Sequence, residues 1–201
     1  MKNQRPLPLI SLLFAALISQ LISTVGYADT NGKDFIRTSC NVTLYPNVCY
    51  TSLSGYANAV KKDLAQLAQV AITVSLSKAR RMANYVSNIS RQAEAGADCR
   101  AATALHDCFS LFGDAVEQMS DSLKQMLRLR AGAESFRFKM SNVQTWMSAA
   151  LTNEDTCTDG FEDVRNGSVK TDVCDRAVKV RQVTSNALAL VNSYLAKVLT
   201  A

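Results

Sequence analysis

The chain has 201 residues, 48% of them hydrophobic and 19% charged, with a formal net charge of +5. This is the size and composition of one globular domain with enough apolar surface for a core, which excludes a disordered chain. The small positive balance, without any Lys/Arg block, excludes an electrostatic nucleic-acid binder.

Lys2 and Arg5 precede a mostly apolar run from Leu7 to Val25, and Gly26-Tyr27-Ala28 offers small residues where a signal peptidase reads. The run approaches the ~20 residues that span a bilayer. Ser11, Ser19, Gln20, Ser23 and Thr24 interrupt it, so residues 1–28 read as a cleaved secretion signal and 29–201 as the mature domain. Removal of the leader lowers the net charge to +3. It leaves all six cysteines, Cys40, Cys49, Cys99, Cys108, Cys157 and Cys174, in a chain bound for an oxidising compartment, where an even count reads as disulfides. Asn41, Asn88 and Asn166 begin glycan acceptor sequons, in keeping with that route.

Cys40 to Cys49, with Tyr45-Pro46-Asn47 supplying a turn, reads as a stapled helical hairpin over about residues 35–60. A bundle follows over about residues 61–200, in proline-free segments divided by Gly96, Gly132, Gly160 and Gly167. The first long helix is expected from about Asp63 to Ala93, where Leu64, Leu67, Ala71, Ala79, Met82 and Val86 share a face. The second runs from about Asp98 to Arg130 on Leu105, Cys108, Phe112, Ala115, Met119 and Met126. The third runs from about Glu134 to Thr152 on Val143, Trp146, Met147, Ala150 and Leu151, with polar Asn153 to Thr156 as its exit and Cys157 on that exit. The fourth, from about Val173 to Leu199, carries a heptad seam through Ala177, Val180, Thr184, Ala187, Val191 and Tyr194.

Four amphipathic helices with short connections predict an all-α, up-down-up-down four-helix bundle preceded by the hairpin. In that topology the start of helix two, the end of helix three and the start of helix four share one end. The arrangement favours bonds from Cys40 to Cys49 and from Cys108 to Cys157, and end-matching alone assigns Cys99 to Cys174.

Catalytic chemistry is missing from this composition. His106 is the single histidine, and no phosphate loop, dinucleotide fingerprint or nucleophile elbow occurs. The carboxylate pairs Glu154 with Asp155 and Glu162 with Asp163 fall beside helix ends, where solvation explains them. No catalytic, cofactor-binding or metal-ligating residue is assigned, and the chain does not read as an enzyme. Asp107, Asp114, Glu117 and Asp121 form an acidic stripe on helix two. That stripe is either a solvated face or a docking surface for a basic partner. Periodicity equally permits a secreted structural bundle with no enzyme target.

Four blocks in order carry a resemblance: Ser39-Cys40 through Tyr45-Pro46 to Cys49; Leu105-His106-Asp107-Cys108 with Asp114-Ala115-Val116; Thr145 to Thr152 leading to Asp155-Thr156-Cys157; and Val183 to Leu190. Together they resemble the plant pectin methylesterase inhibitor and invertase inhibitor family over nearly all of the mature chain. The resemblance implies a noncovalent inhibitor with the first two of these disulfides, and gives no guidance on Cys99 and Cys174. Invertase inhibitors of the family resemble one another in a Pro-Lys-Phe or Pro-Lys-Asn tripeptide between the second and third bundle helices. Here Arg130 to Phe138 holds no proline. The expected target is therefore pectin methylesterase, bound one-to-one across its pectin cleft, with acid invertase as the alternative. By resemblance, Asp114 and Glu117 fall at acidic contact positions, Asp159 is similarly placed, and Ser110 departs from the pattern. The implied location is the plant apoplast and cell wall, with no nucleic-acid partner and no membrane association once the signal is removed. Some esterases carry a similar bundle as a pro-region. The end of this chain at Ala201, after helix four, reads as a stand-alone protein.

Overall fold

The computed structural model describes residues 31–93, 99–130 and 134–200. The expected secretion signal, residues 1–28, and Gly96 and Gly132 lie outside them. A first helix, α1, covers residues 31–40, and α2 covers Pro46–Leu53. Pro46 stands at the start of α2, where its missing N–H would have had no intrahelical acceptor and its fixed φ suits the first turn. The Cys40–Cys49 disulfide joins the two helices, and the buried Thr43 hydroxyl donates to the Cys40 carbonyl at 2.8 Å. A single 3-10 turn, Ser54–Tyr56, leads into the short α3, Ala57–Val60. At Gly32 an added Cβ would lie 3.0 Å from both Cβ and O of Ala57, so a side chain there would need α1 and α3 to move apart by a few tenths of an ångström. Lys61 and Lys62, with φ of 47° and 60°, turn the chain into the bundle. Asp63 Oδ1 then accepts the free backbone N–H groups of Ala65 and Gln66 at 2.7 and 3.3 Å, capping the next helix.

That helix, α4, spans Leu64–Ala93, and α5 (Cys99–Leu127), α6 (Phe136–Asp159) and α7 (Ser168–Thr200) complete the bundle. Each packs on two neighbours in the ring α4, α5, α6, α7, which leaves α5 diagonal to α7. Neighbours run antiparallel. Gln69, early in α4, donates to the Met126 carbonyl, late in α5. Gln144, early in α6, bonds Asn192, late in α7, at 2.8 Å. The expected stripes form the core, with Leu67, Leu105, Phe112, Met119, Val143, Met147, Ala177 and Leu190 fully or almost fully buried. Trp146 and Leu151 are only half-buried, at the edge of their stripe.

The hairpin fills the lower half of the groove between α4 and α7. Val48, Cys49 and Leu53 of α2 meet Ala71, Val183 and Ala187 there. Asn186 on α7 holds the hairpin by its backbone: its Oδ1 accepts the Tyr45 N–H at 3.1 Å and its Nδ2 donates to the Tyr45 carbonyl at 2.9 Å.

Three expectations are corrected. Helix three does not exit at Asn153 to Thr156; α6 continues to Asp159, and both Glu154 and Cys157 face the core. Glu154 is not a solvated end carboxylate, because it is completely buried and accepts a hydrogen bond from the Thr184 hydroxyl. Cys99 and Cys174 are both free thiols. End-matching placed them at the same level but ignored that α5 and α7 are diagonal, with the packed core between them. The Cys40–Cys49 and Cys108–Cys157 bonds are present, the latter with Cα atoms 4.4 Å apart on the adjacent helices α5 and α6.

Candidate docking face

With the hairpin on α4 and α7, the opposite face of the bundle, made by α5 and α6, is left uncovered. Asn153 Nδ2 donates to Gln118 Oε1 at 3.2 Å and marks the seam between those helices. Asp107, Asp114 and Asp121 fall on the α6-facing side of α5, and Glu117 points outward beside them; all four are exposed. At about 1.5 Å per residue the stripe from Asp107 to Asp121 runs about 21 Å. Asp121 forms an ion pair with Lys124 at 2.9 Å, and Asp107 lies 3.7 Å from the exposed His106. Asp114 and Glu117 have no ion-pair partner among the described residues.

Across the seam, α6 presents the exposed small side chains Thr145, Ser148, Thr152 and Thr156. Thr152 and Thr156 donate their hydroxyls back to the carbonyls of Ser148 and Thr152, at 3.1 and 2.9 Å. The polar demand of these two hydroxyls is met within the helix. Asp159, exposed at the last residue of α6, opposes the helix dipole, a local cost of about 0.3–1 kcal/mol that its own helix does not offset. Gly160, the next residue, and Asp107 border one cleft of about 400 Å³ between the start of α5 and the α6–α7 connection. The fold therefore brings Asp107, Asp114, Glu117 and Asp121 into one line, with Asp159 at the upper end of the same face.

Sequence periodicity did not single out Phe109. It is 43% exposed on α5, one turn before Gly113, where an added Cβ would meet nothing within 4 Å. An exposed aromatic beside open space is the kind of anchor that partner surfaces bury. Asn41, Asn88 and Asn166 are all exposed. Among the described residues no group of three His, Cys, Asp or Glu side chains could hold a metal ion, and no helix is long and apolar enough to cross a membrane.

The chain is similar to known proteins in both sequence and fold. Residues 34–190 match the family described as plant invertase/pectin methylesterase inhibitor. The chain belongs to that family. It is 41% identical to pectinesterase inhibitor 10 of Arabidopsis thaliana over 84% of its own length, and it spans 53% of that relative. It is 38% identical to pectinesterase inhibitor 3 of the same plant, over 92% of this chain and 89% of the relative. Its fold resembles a crystal structure of a mutant form of an Arabidopsis pectin methylesterase inhibitor, with a TM-score of 0.60 at 20% identity over 76% of this chain and 92% of that one. In this family member, the α5/α6 face is left uncovered by the hairpin and carries Asp114 and Glu117 without an ion-pair partner among the described residues.

Proposed function

We propose that this family member is a secreted inhibitor of pectin methylesterase. It binds noncovalently, one-to-one, and lays the α5/α6 face across the enzyme's pectin-binding cleft. Substrate is kept from the catalytic site, and demethylesterification of cell-wall pectin is limited. Residues 1–28 act as the secretion signal, 29–201 form the inhibitor, and Asn41, Asn88 and Asn166 are the glycan acceptors. The observation that carries the reading is the line of exposed acids on α5, unpaired at Asp114 and Glu117, on the bundle face that the hairpin leaves open. Identity near two fifths to relatives named for pectinesterase, rather than invertase, supports the choice of target.

The test adds the mature chain to a purified pectin methylesterase acting on methylesterified pectin and, in parallel, to acid invertase. The expected result is loss of acid release by the esterase at a one-to-one ratio, with invertase unaffected. Inhibition of invertase alone would move the target to the other branch of the family, and inhibition of neither would refute the reading.

A further inference from the structure

The bundle is electrically polarised. α4 carries Lys78, Arg80, Arg81 and Arg91 and no acidic residue. α7 adds Lys170, Arg176, Lys179, Arg181 and Lys197 against Asp172 and Asp175. The α5/α6 face has the opposite excess. Between α4 and α7 the hairpin occupies only the lower half of the groove, and above it the groove stays open as a pocket of about 220 Å³. Lys78, Arg81 and Tyr85 line one edge, at helical steps of three and four, and Arg176 and Lys179 line the other. The pocket is organised. Tyr85 and Arg176 both hydrogen-bond Asp172, which fixes the Arg176 guanidinium 4.3 Å above the Tyr85 ring. Lys78 and Lys179 have no hydrogen-bond or ion-pair partner among the described residues, so cationic charge remains beyond what Asp172 neutralises.

We propose that this groove binds the carboxylates of an acidic uronide chain, the demethylesterified form of pectin. Guanidinium and ammonium groups on the two edges suit a polymer that repeats a carboxylate, and the Tyr85 ring with the Arg176 guanidinium held over it adds an aromatic surface for a sugar ring. The α4 edge from Lys78 to Tyr85 is about 10 Å long, room for a short run of rings. Hydrolysis of a pectin methyl ester leaves a carboxylate and releases methanol, so a pectin methylesterase makes this ligand where it works. The basic groove lies on the far side of the bundle from the acidic face. An inhibitor docked through α5 and α6 still has the groove free and is tethered to the polymer its target has already processed. The choice of uronide rests on the proposed target, but the groove's affinity for a carboxylate polymer is measured without any esterase.

The experiment measures retention of the folded mature protein on immobilised polygalacturonate at low salt, with fully methylesterified polygalacturonate and polyglutamate as comparison columns. Saturable retention on polygalacturonate, weakened by salt and near zero on the ester, is expected. Lys78→Glu with Lys179→Glu lowers the affinity about tenfold or more without changing thermal stability or esterase inhibition, and the neutral Lys78→Gln, Lys179→Gln pair gives a smaller loss. Absent retention, equal retention of the charge-reversed variant, or equal retention on polyglutamate would each overturn the assignment. Failure to inhibit the esterase, with retention intact, would count against the proposed function and leave the groove standing.

Discussion

Thr184 on α7 donates its hydroxyl to Oε1 of Glu154 on α6 at 2.9 Å, with both side chains completely buried. The Ser75 hydroxyl of α4 joins the Thr184 oxygen at 2.8 Å, so one polar thread crosses the core through three helices. Glu154 Oε2 is buried without a hydrogen-bond partner among the described residues. Burial is the main cause that pushes the carboxyl up to about 8, and nearby Asp155 adds to the rise, while the Thr184 hydrogen bond and the Arg181 charge oppose it. Below that pH the group sits in the core as a neutral acid.

The folded carboxyl holds its proton up to about pH 8, against an ordinary value of 4.5 that applies to the unfolded chain, so unfolding between those values releases a proton. Stability is fully present in acid and falls as pH rises through this window. Thermal unfolding should show a loss of roughly 2 kcal/mol from pH 5 to pH 7. Glu154→Gln should flatten that slope, and an unchanged slope in the variant would contradict the assignment.

Asp114→Lys with Glu117→Lys reverses charge at two exposed positions that have no internal partner. Helicity by circular dichroism should be unchanged. Inhibition of pectin methylesterase should weaken by about tenfold or more, because like charges then face a basic partner. Full inhibition by the folded double variant would remove these acids from the docking face.

Asn186→Ala deletes both bonds that hold Tyr45. It leaves the partly buried Tyr45 N–H unpaired, while the Tyr45 carbonyl keeps the Cys49 N–H at 2.9 Å, so the cost is about 1–2 kcal/mol. Hydrogen exchange should report it locally, with faster exchange at the amide of Tyr45 than at the core amides of α5. Uniform acceleration throughout the chain would show instead that the hairpin and bundle unfold as one unit.

The Cys108–Cys157 bond closes a loop of 49 residues, so replacing both with Ala should cost about 4 kcal/mol, near 10 °C in midpoint temperature. In the unreduced native protein an alkylating reagent should modify Cys99 and Cys174 only. The exposed Cys99 should react first, because burial pushes the Cys174 thiol up and limits access to it. Recovery of a peptide linking Cys99 to Cys174 would restore the rejected bond.

Gly113→Ala meets no neighbour within 4 Å and removes the least helix-favouring residue of α5, so it should raise stability by about 1 kcal/mol. The midpoint of thermal unfolding checks this. Phe109 and Gly113 lie on the α4 side of α5, away from the acidic stripe, so inhibition of the esterase should be unchanged, and weakened inhibition would extend the docking surface to that side.

Sequence alone was enough for the all-α class, the four long helices and their core stripes, because the seven-residue spacing of Leu105, Phe112 and Met119 or of Ala177, Thr184 and Val191 is a property of contiguous residues. It also reached the Cys108–Cys157 bond, since adjacent antiparallel helices bring those levels together. The end of α6 was decided only by tertiary structure: whether Glu154 leaves the helix or enters the core depends on Thr184 and Ser75, which local polarity does not encode. The same holds for Cys99 and Cys174, kept apart by a diagonal that order along the chain does not display. The basic groove was visible in part, as the off-core positions of Lys78 and Arg81 on an acid-free helix. That it stays open depends on where the hairpin stops against α4 and α7.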